Sequence, residues 1–280
     1  MSVLRSVAMA GGGNAQDGEV LTWQECGSAA APSLVLLHGI GSDARLWRAQ
    51  LAAFAPERRV LAWNAPGYAE SSPFPEGTPT GDPTLWAQRL MDGLDALGVS
   101  SCVLVGHSLG AVTAARFARL WPERVKALVL SSPAQGYGQS PGAALLPALQ
   151  ARIDDITSLG PRGMAEHRAP RTLGPGADAA MIRAVTDAMA RVSVRGYCDA
   201  VRLLAGGRLA DDLPAWNGPL HLVCAEEDRI VPPATVETLA ALRPSARLCR
   251  IAGAGHASYL QAPDLFNRCL AHVLANREPD

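Results

Sequence analysis

Lysine is all but absent: of 25 basic residues, only Lys126 is not an arginine. Schiff-base chemistry would therefore fall on that one residue, which opens a strand-like run directly after Pro122-Glu123-Arg124, the setting of a solvated end. Aromatic residues make up 5% of the 280-residue chain and charged residues only 18%, against 48% hydrophobic. A charge fraction this low excludes intrinsic disorder, and the apolar share suffices for a sizeable core. Neither sign of charge dominates, since 25 basic and 26 acidic residues leave a net charge of −1. There is no broad electrostatic footprint for nucleic acid or for an anionic membrane. No run approaches the ~18 apolar residues of a membrane span, and Met1–Val20 lacks the continuous apolar stretch of a secretory signal. The expectation is a soluble cytoplasmic protein that needs no metal or cofactor and may be tested for a homodimer. Six cysteines (Cys26, Cys102, Cys198, Cys224, Cys249, Cys269) form no C-x-x-C pair. Three lie in apolar strand-like runs, so buried free thiols are expected rather than a disulfide framework.

What is present is an alternation of short β-rich runs with longer helical patterns, the signature of a parallel sheet covered by helices. Strands are predicted over Val20–Cys26, Ser33–His38, Arg59–Trp63, Cys102–His107, Val125–Ser131, Leu220–Ala225 and Ala246–Ile251. Continuous apolar runs such as Leu34-Val35-Leu36-Leu37 suit strands buried on both faces. Helices are predicted over Ala44–Phe54, Thr84–Leu97, Leu109–Leu120, Pro233–Leu242 and Pro263–Leu274. The rhythm breaks once, where roughly 85 residues separate the strand ending at Ser131 from the next at Leu220. Helical patterns at Ala143–Ser158, Ala177–Val192 and Val194–Leu204, joined by Gly160-Pro161 and Gly174-Pro175-Gly176, predict an inserted helical subdomain. The expected organisation is a core domain of residues 1–133 and 213–280 with a cap at 134–212. The only low-complexity stretch is Gly11-Gly12-Gly13.

The strongest chemical signal is Gly106-His107-Ser108-Leu109-Gly110, which follows an apolar strand and opens a helix. G-x-S-x-G between strand and helix is a nucleophile elbow, whose sharp turn leaves no room for side chains at the two glycines. Ser108 then projects its hydroxyl above the sheet at the positive end of a helix. A serine hydroxyl needs a base, and the base needs an orienting carboxylate. In the chain order Ser, acid, His, Asp228 follows the strand Leu220–Ala225 and His256 follows the strand ending at Ile251. Both lie beyond the carboxyl ends of strands, the edge where open α/β sheets build sites. Glu226 and Glu227 read as surface carboxylates. Backbone N–H donors for an oxyanion are expected from Leu109 and from Ile40, in the loop His38-Gly39-Ile40-Gly41-Ser42. His38 and His107 read as structural.

In this order and context, His38-Gly39, Gly106–Gly110, Asp228 and Gly255-His256 resemble the α/β-hydrolase superfamily over nearly the whole chain after about residue 18. Asn64-Ala65-Pro66-Gly67-Tyr68-Ala69-Glu70-Ser71 resembles the family turn D-x-(R/P)-G-x-G-x-S, with Asn64 in place of the acid and Ala69 in place of a glycine. The resemblance implies an α/β-hydrolase fold with a mostly parallel sheet, a helical cap, and the triad Ser108, Asp228 and His256. Serine at the elbow argues against the dehalogenase and epoxide-hydrolase branches, which use aspartate there. Esterases, lactonases, C–C bond hydrolases, perhydrolases and cofactor-free dioxygenases remain, as do ligand receptors that keep the triad. Gly196-Tyr197 in the cap is similar to 3-oxoadipate enol-lactonase-like members, which favours a small-molecule ester or lactone as substrate; Tyr197 itself can equally be core. Arginines of the cap, among them Arg152, Arg162, Arg168, Arg171, Arg191 and Arg195, could pair with a substrate carboxylate, and the sequence singles out none.

Overall fold

The computed structural model describes residues 2–8 and 19–275; the glycine run Gly11-Gly12-Gly13 lies outside them. Eight strands form one sheet: β1 (Val3–Ala8), β2 (Val20–Cys26), β3 (Ser33–Leu37), β4 (Arg59–Trp63), β5 (Cys102–His107), β6 (Val125–Ser131), β7 (Leu220–Ala225) and β8 (Arg247–Ile251). Their spatial order is β1-β2-β4-β3-β5-β6-β7-β8. β2 runs antiparallel to β1 and β4, and every other pairing is parallel. All residues of β4 and β5 are buried, which requires cover on both faces of the sheet.

That cover comes from α1 (Arg48–Phe54), α2 (Pro83–Ala96), α3 (Leu109–Leu120), α8 (Pro233–Leu242) and α10 (Pro263–Ala275). Between β6 and β7 lie α4 (Pro147–Arg168), α5 (Ala179–Met189), α6 (Val194–Gly206) and the short α7 (Leu209–Asp212); the short α9 (Ser258–Gln261) follows β8. The joint predicted at Gly160-Pro161 is a break within α4, where Gly160 leaves helical geometry at φ 68° and Pro161 restarts the helix. Proline suits a first helical position because it has no N–H to leave unpaired.

Two features depart from the sequence reading. β1 carries no continuous apolar run and is mostly exposed. It forms through its ladder with β2 and through the buried Glu25, which accepts from Arg5 at 2.7 Å and from Arg59 at 2.7 Å. Cys249 and Cys269 are not free thiols but a disulfide, with Cα atoms 6.2 Å apart. The edge strand β8 lies against α10, so tertiary packing brings together two cysteines whose spacing carries no pairing signal. Cys26, Cys102, Cys198 and Cys224 are free, as expected.

The helix α6 is seated on the core by glycine at both ends. Ser193 caps it by accepting from the Gly196 N–H at 2.9 Å while donating its hydroxyl to the Gly67 carbonyl at 2.7 Å. A Cβ on Gly196 would press into the Gly67 carbonyl, and one on Gly206 into that of Gly81. These contacts lie about 15 Å apart along the helix and fix its tilt as well as its position. Between them the Thr80 hydroxyl donates to Asp199 at 3.0 Å.

Gly67 belongs to the turn Asn64–Ser71, and here the two departures from the family pattern acquire physical content. Asn64 uses both ends of its amide, donating to Thr22 Oγ1 at 2.8 Å and accepting from the Ala44 N–H at 3.0 Å. A carboxylate could do only the second. Ala69 sits at φ 48°, in the left-handed region where a side chain is strained.

Two stability changes of opposite sign follow. Ala69→Gly should stabilise the protein by about 1 kcal/mol. Gly196→Ala should destabilise it by roughly 1–3 kcal/mol despite alanine's better helix propensity, because the neighbour it meets is backbone. Denaturant titration measures both, and a loss in the first or a gain in the second would contradict the geometry described.

Candidate active site

Ser108 follows β5 with φ 51° and ψ −115°, a conformation that non-glycine residues adopt only where the surroundings impose it. The imposition is steric. A Cβ on Gly106 would lie 2.6 Å from the Gly110 carbonyl oxygen, and one on Gly110 would lie 2.6 Å from that of Leu37. The turn is held further by the Ser108 N–H donating to the Ser131 carbonyl at 3.0 Å and by the Ser108 carbonyl accepting from Ala134 at 3.1 Å. Leu109, the first residue of α3, has no preceding turn to receive its N–H. The N–H groups of Leu109 and Ile40 have no backbone partner among the described residues, and both residues line the cavity that Ser108 opens onto.

Asp228 and His256 arrive from adjacent strands. In the loop after β7, Asp228 Oδ1 accepts from the N–H groups of Ile230 at 2.8 Å and Val231 at 2.9 Å. Its Oδ2 lies 2.8 Å from His256 Nδ1. Burial alone would raise the pKa of this carboxyl, but the hydrogen bond and charge of His256 and the two backbone donors outweigh it and hold it below the usual range. An ionised carboxylate can only accept, so the hydrogen of this bond sits on Nδ1. Ser108 and His256 line the same cavity, with no hydrogen bond between hydroxyl and ring. Glu226 and Glu227 are exposed, as expected of surface carboxylates.

The other two histidines of the site are buried braces. His38 Nδ1–H donates to the Gly39 carbonyl at 2.9 Å and its Nε2 accepts from the Ala65 N–H at 3.0 Å, which ties the Ile40 loop to the turn after β4. His107 Nε2–H donates to the His256 carbonyl at 3.0 Å. The His107 ring also packs against His256 at 4.7 Å and edge-on to Tyr259 at 4.8 Å, and Tyr259 stacks on Trp47 at 4.1 Å. Burial lowers the pKa of His38, and it pushes that of His107 down to about 3, with the neighbouring His256 adding to the effect.

Sequence reasoning missed two contributors. Gln261 Oε1 accepts from Gly255 at 2.9 Å and from Gly174 at 2.8 Å, clamping the loop that carries His256 to the helical insertion. No local pattern marks it. Arg229 lines the cavity directly beside Asp228, and that adjacency was a usable signal. The cavity measures about 920 Å³, within the range of small-molecule sites, and Tyr197, although buried, lines it too. Among the described residues no helix is long and apolar enough to cross a membrane, and no cluster of three metal-ligating side chains occurs.

His38 and His107 set a pH dependence of stability. Each is neutral in the folded protein, while the unfolded chain takes up a proton below about pH 6.5. The stability they contribute is complete above that pH and is lost as pH falls, for His107 down to about 3. His107→Gln should flatten the decline between pH 6 and 4 by up to about 1.4 kcal/mol per pH unit, measured by denaturant titration at each pH. An unchanged slope would mean that His107 is not held neutral.

With the geometry in place, comparison with known proteins fixes the family. Residues 34–268 match the alpha/beta hydrolase family. The chain is 29% identical over 260 residues to the dihydrolipoyllysine-residue acetyltransferase component of the acetoin cleaving system of Pseudomonas putida, covering 90% of this chain but only 65% of that protein. It is 29% identical over 250 residues to the pimeloyl-[acyl-carrier protein] methyl ester esterase of Aromatoleum aromaticum, covering 83% of this chain and 94% of the relative. The crystal structure of the enol-lactonase from Burkholderia xenovorans superposes with a TM-score of 0.82 at 22% identity, covering 92% of this chain and 98% of the other, a likeness of fold. The strained elbow, the order of the strands and the match over most of the chain agree: this protein belongs to the alpha/beta hydrolase family.

Proposed function

We propose that this protein is a serine hydrolase that cleaves a small carboxylic ester or lactone through an acyl-enzyme on Ser108. The observation that carries the proposal is the Asp228–His256 hydrogen bond of 2.8 Å, which occupies Nδ1 and so reserves Nε2 for the cavity that Ser108 and His256 both line. His256 takes the proton of Ser108 as the hydroxyl oxygen attacks the carbonyl carbon, and the contact between hydroxyl and ring tightens as substrate binds. Asp228 keeps the ring in the required tautomer and stabilises the imidazolium that forms. The N–H groups of Ile40 and Leu109 receive the oxyanion; neither has another backbone partner. Collapse of the tetrahedral intermediate expels the alcohol, which takes the proton from His256. Water, activated by the same imidazole, then releases the acid and restores Ser108. The esterase among the relatives supports ester cleavage.

The decisive variant is Ser108→Ala. It should lower turnover of a p-nitrophenyl ester by at least about 10³-fold and abolish covalent labelling by a fluorophosphonate, with an unchanged circular dichroism spectrum. Turnover equal to that of the unmodified protein would remove Ser108 from the reaction.

A further inference from the structure

The cavity beside Ser108 is charged in one direction. Arg152, Arg168, Arg171 and Arg229 line it, and no carboxylate does. They come from three separate places: α4, the helical turn that follows it, and the loop after β7. Elsewhere on the insertion, several arginines are already ion-paired. Arg162 pairs with Asp187 at 3.1 Å, Arg191 with Asp43 at 3.2 Å and Arg202 with Asp199 at 3.0 Å. Of the four in the cavity, Arg168 is ion-paired with Asp155. Arg152, Arg171 and Arg229 have no carboxylate partner among the described residues. Arg152 instead donates to the hydroxyl of the buried Tyr197 at 3.4 Å. Three uncompensated guanidinium groups around one recess give it a positive potential that concentrates anions, and their planar donor forks match an oxyanion. At about 920 Å³ the cavity is large for an acetyl ester and has room for a chain joining an anionic group to a scissile carbonyl.

We infer that the substrate carries an oxyanionic group, a carboxylate or a phosphate, apart from the bond that is cleaved, and that Arg152, Arg171 and Arg229 bind it. The position of the cleaved bond rests on the serine-hydrolase reading; binding of the anion does not.

The test compares esters matched in length: monomethyl glutarate with methyl pentanoate, and monomethyl suberate with methyl octanoate. A phosphate-bearing counterpart, methyl 4-phosphonooxybutanoate, identifies the anion. In the unmodified protein kcat/KM for the charged member should exceed that for the neutral one by about tenfold or more, the equivalent of about 1.4 kcal/mol, and the ratio should shrink as salt is raised. In Arg152→Gln/Arg229→Gln the ratio should fall toward one, chiefly through KM. Arg162→Gln, on the same insertion but outside the cavity, should preserve it. A preference for the phosphate ester over monomethyl glutarate assigns the anion as phosphate, and the reverse assigns carboxylate. Turnover with a ratio of one or less for every charged ester overturns the inference and leaves the serine chemistry standing. If no ester is turned over and no fluorophosphonate labels the protein, the serine reading fails instead. Calorimetric titration into Ser108→Ala then decides: tighter binding of monomethyl glutarate than of methyl pentanoate upholds the anion site, and equal binding rejects it.

Discussion

At the end of β5 the turn into α3 is pressed directly onto the end of β3 and the loop that follows it. A Cβ on Gly110 would meet the Leu37 carbonyl at 2.6 Å, and one on Gly39 would meet Ser108 Cβ at 2.8 Å. With no side chain on Gly39 or Gly110, the turn that carries Ser108 lies directly against the loop that carries Ile40, so neither can shift without the other. The strained conformation of Ser108 and the shared outlook of two N–H groups on one cavity both follow from this contact. The sheet supplies the rest of the geometry: β5, β6, β7 and β8 are parallel neighbours, so whatever follows their carboxyl ends gathers at one edge.

The His256 imidazole is held far more firmly than the serine hydroxyl. Asp228 fixes one ring nitrogen, His107 takes the backbone carbonyl, and Gln261 clamps the preceding residue to the insertion. Burial acts in opposite senses within this cluster. For His107 and His38 the loss of water outweighs both their hydrogen bonds and the nearby carboxylates Asp228 and Asp43, so both stay neutral and serve as hydrogen-bonding braces. Asp228 is buried too, yet it faces an imidazole and two backbone donors and stays ionised. An ionised carboxylate and two neutral imidazoles thus arise from similar depth and different partners.

The insertion contributes charge and enclosure to the cavity. Its helix α6 rests on glycine at either end, so the cavity wall it forms has a fixed height above the elbow. From α4 and the turn after it come three of the arginines that line the cavity, while the loop beside Asp228 supplies the fourth. The cavity therefore spans the boundary between insertion and core.

The sequence by itself determined the sheet strands from β2 onward, most plainly β3 to β7, because strands buried on both faces must be apolar along most of their length and read as such. It also determined the elbow, since only a strand, a tight turn and a helix accommodate Gly106-His107-Ser108-Leu109-Gly110. β1 was illegible, being held by pairing and by Glu25 rather than by an apolar pattern. The Cys249–Cys269 bond was illegible because proximity between β8 and α10 is a property of packing. For the same reason the sequence could offer the arginines of the insertion only as an undivided set. Which of them face Ser108 and which are spent on Asp187 or Asp43 depends on where helices lie in space, and local residue order does not encode contacts between segments distant along the chain.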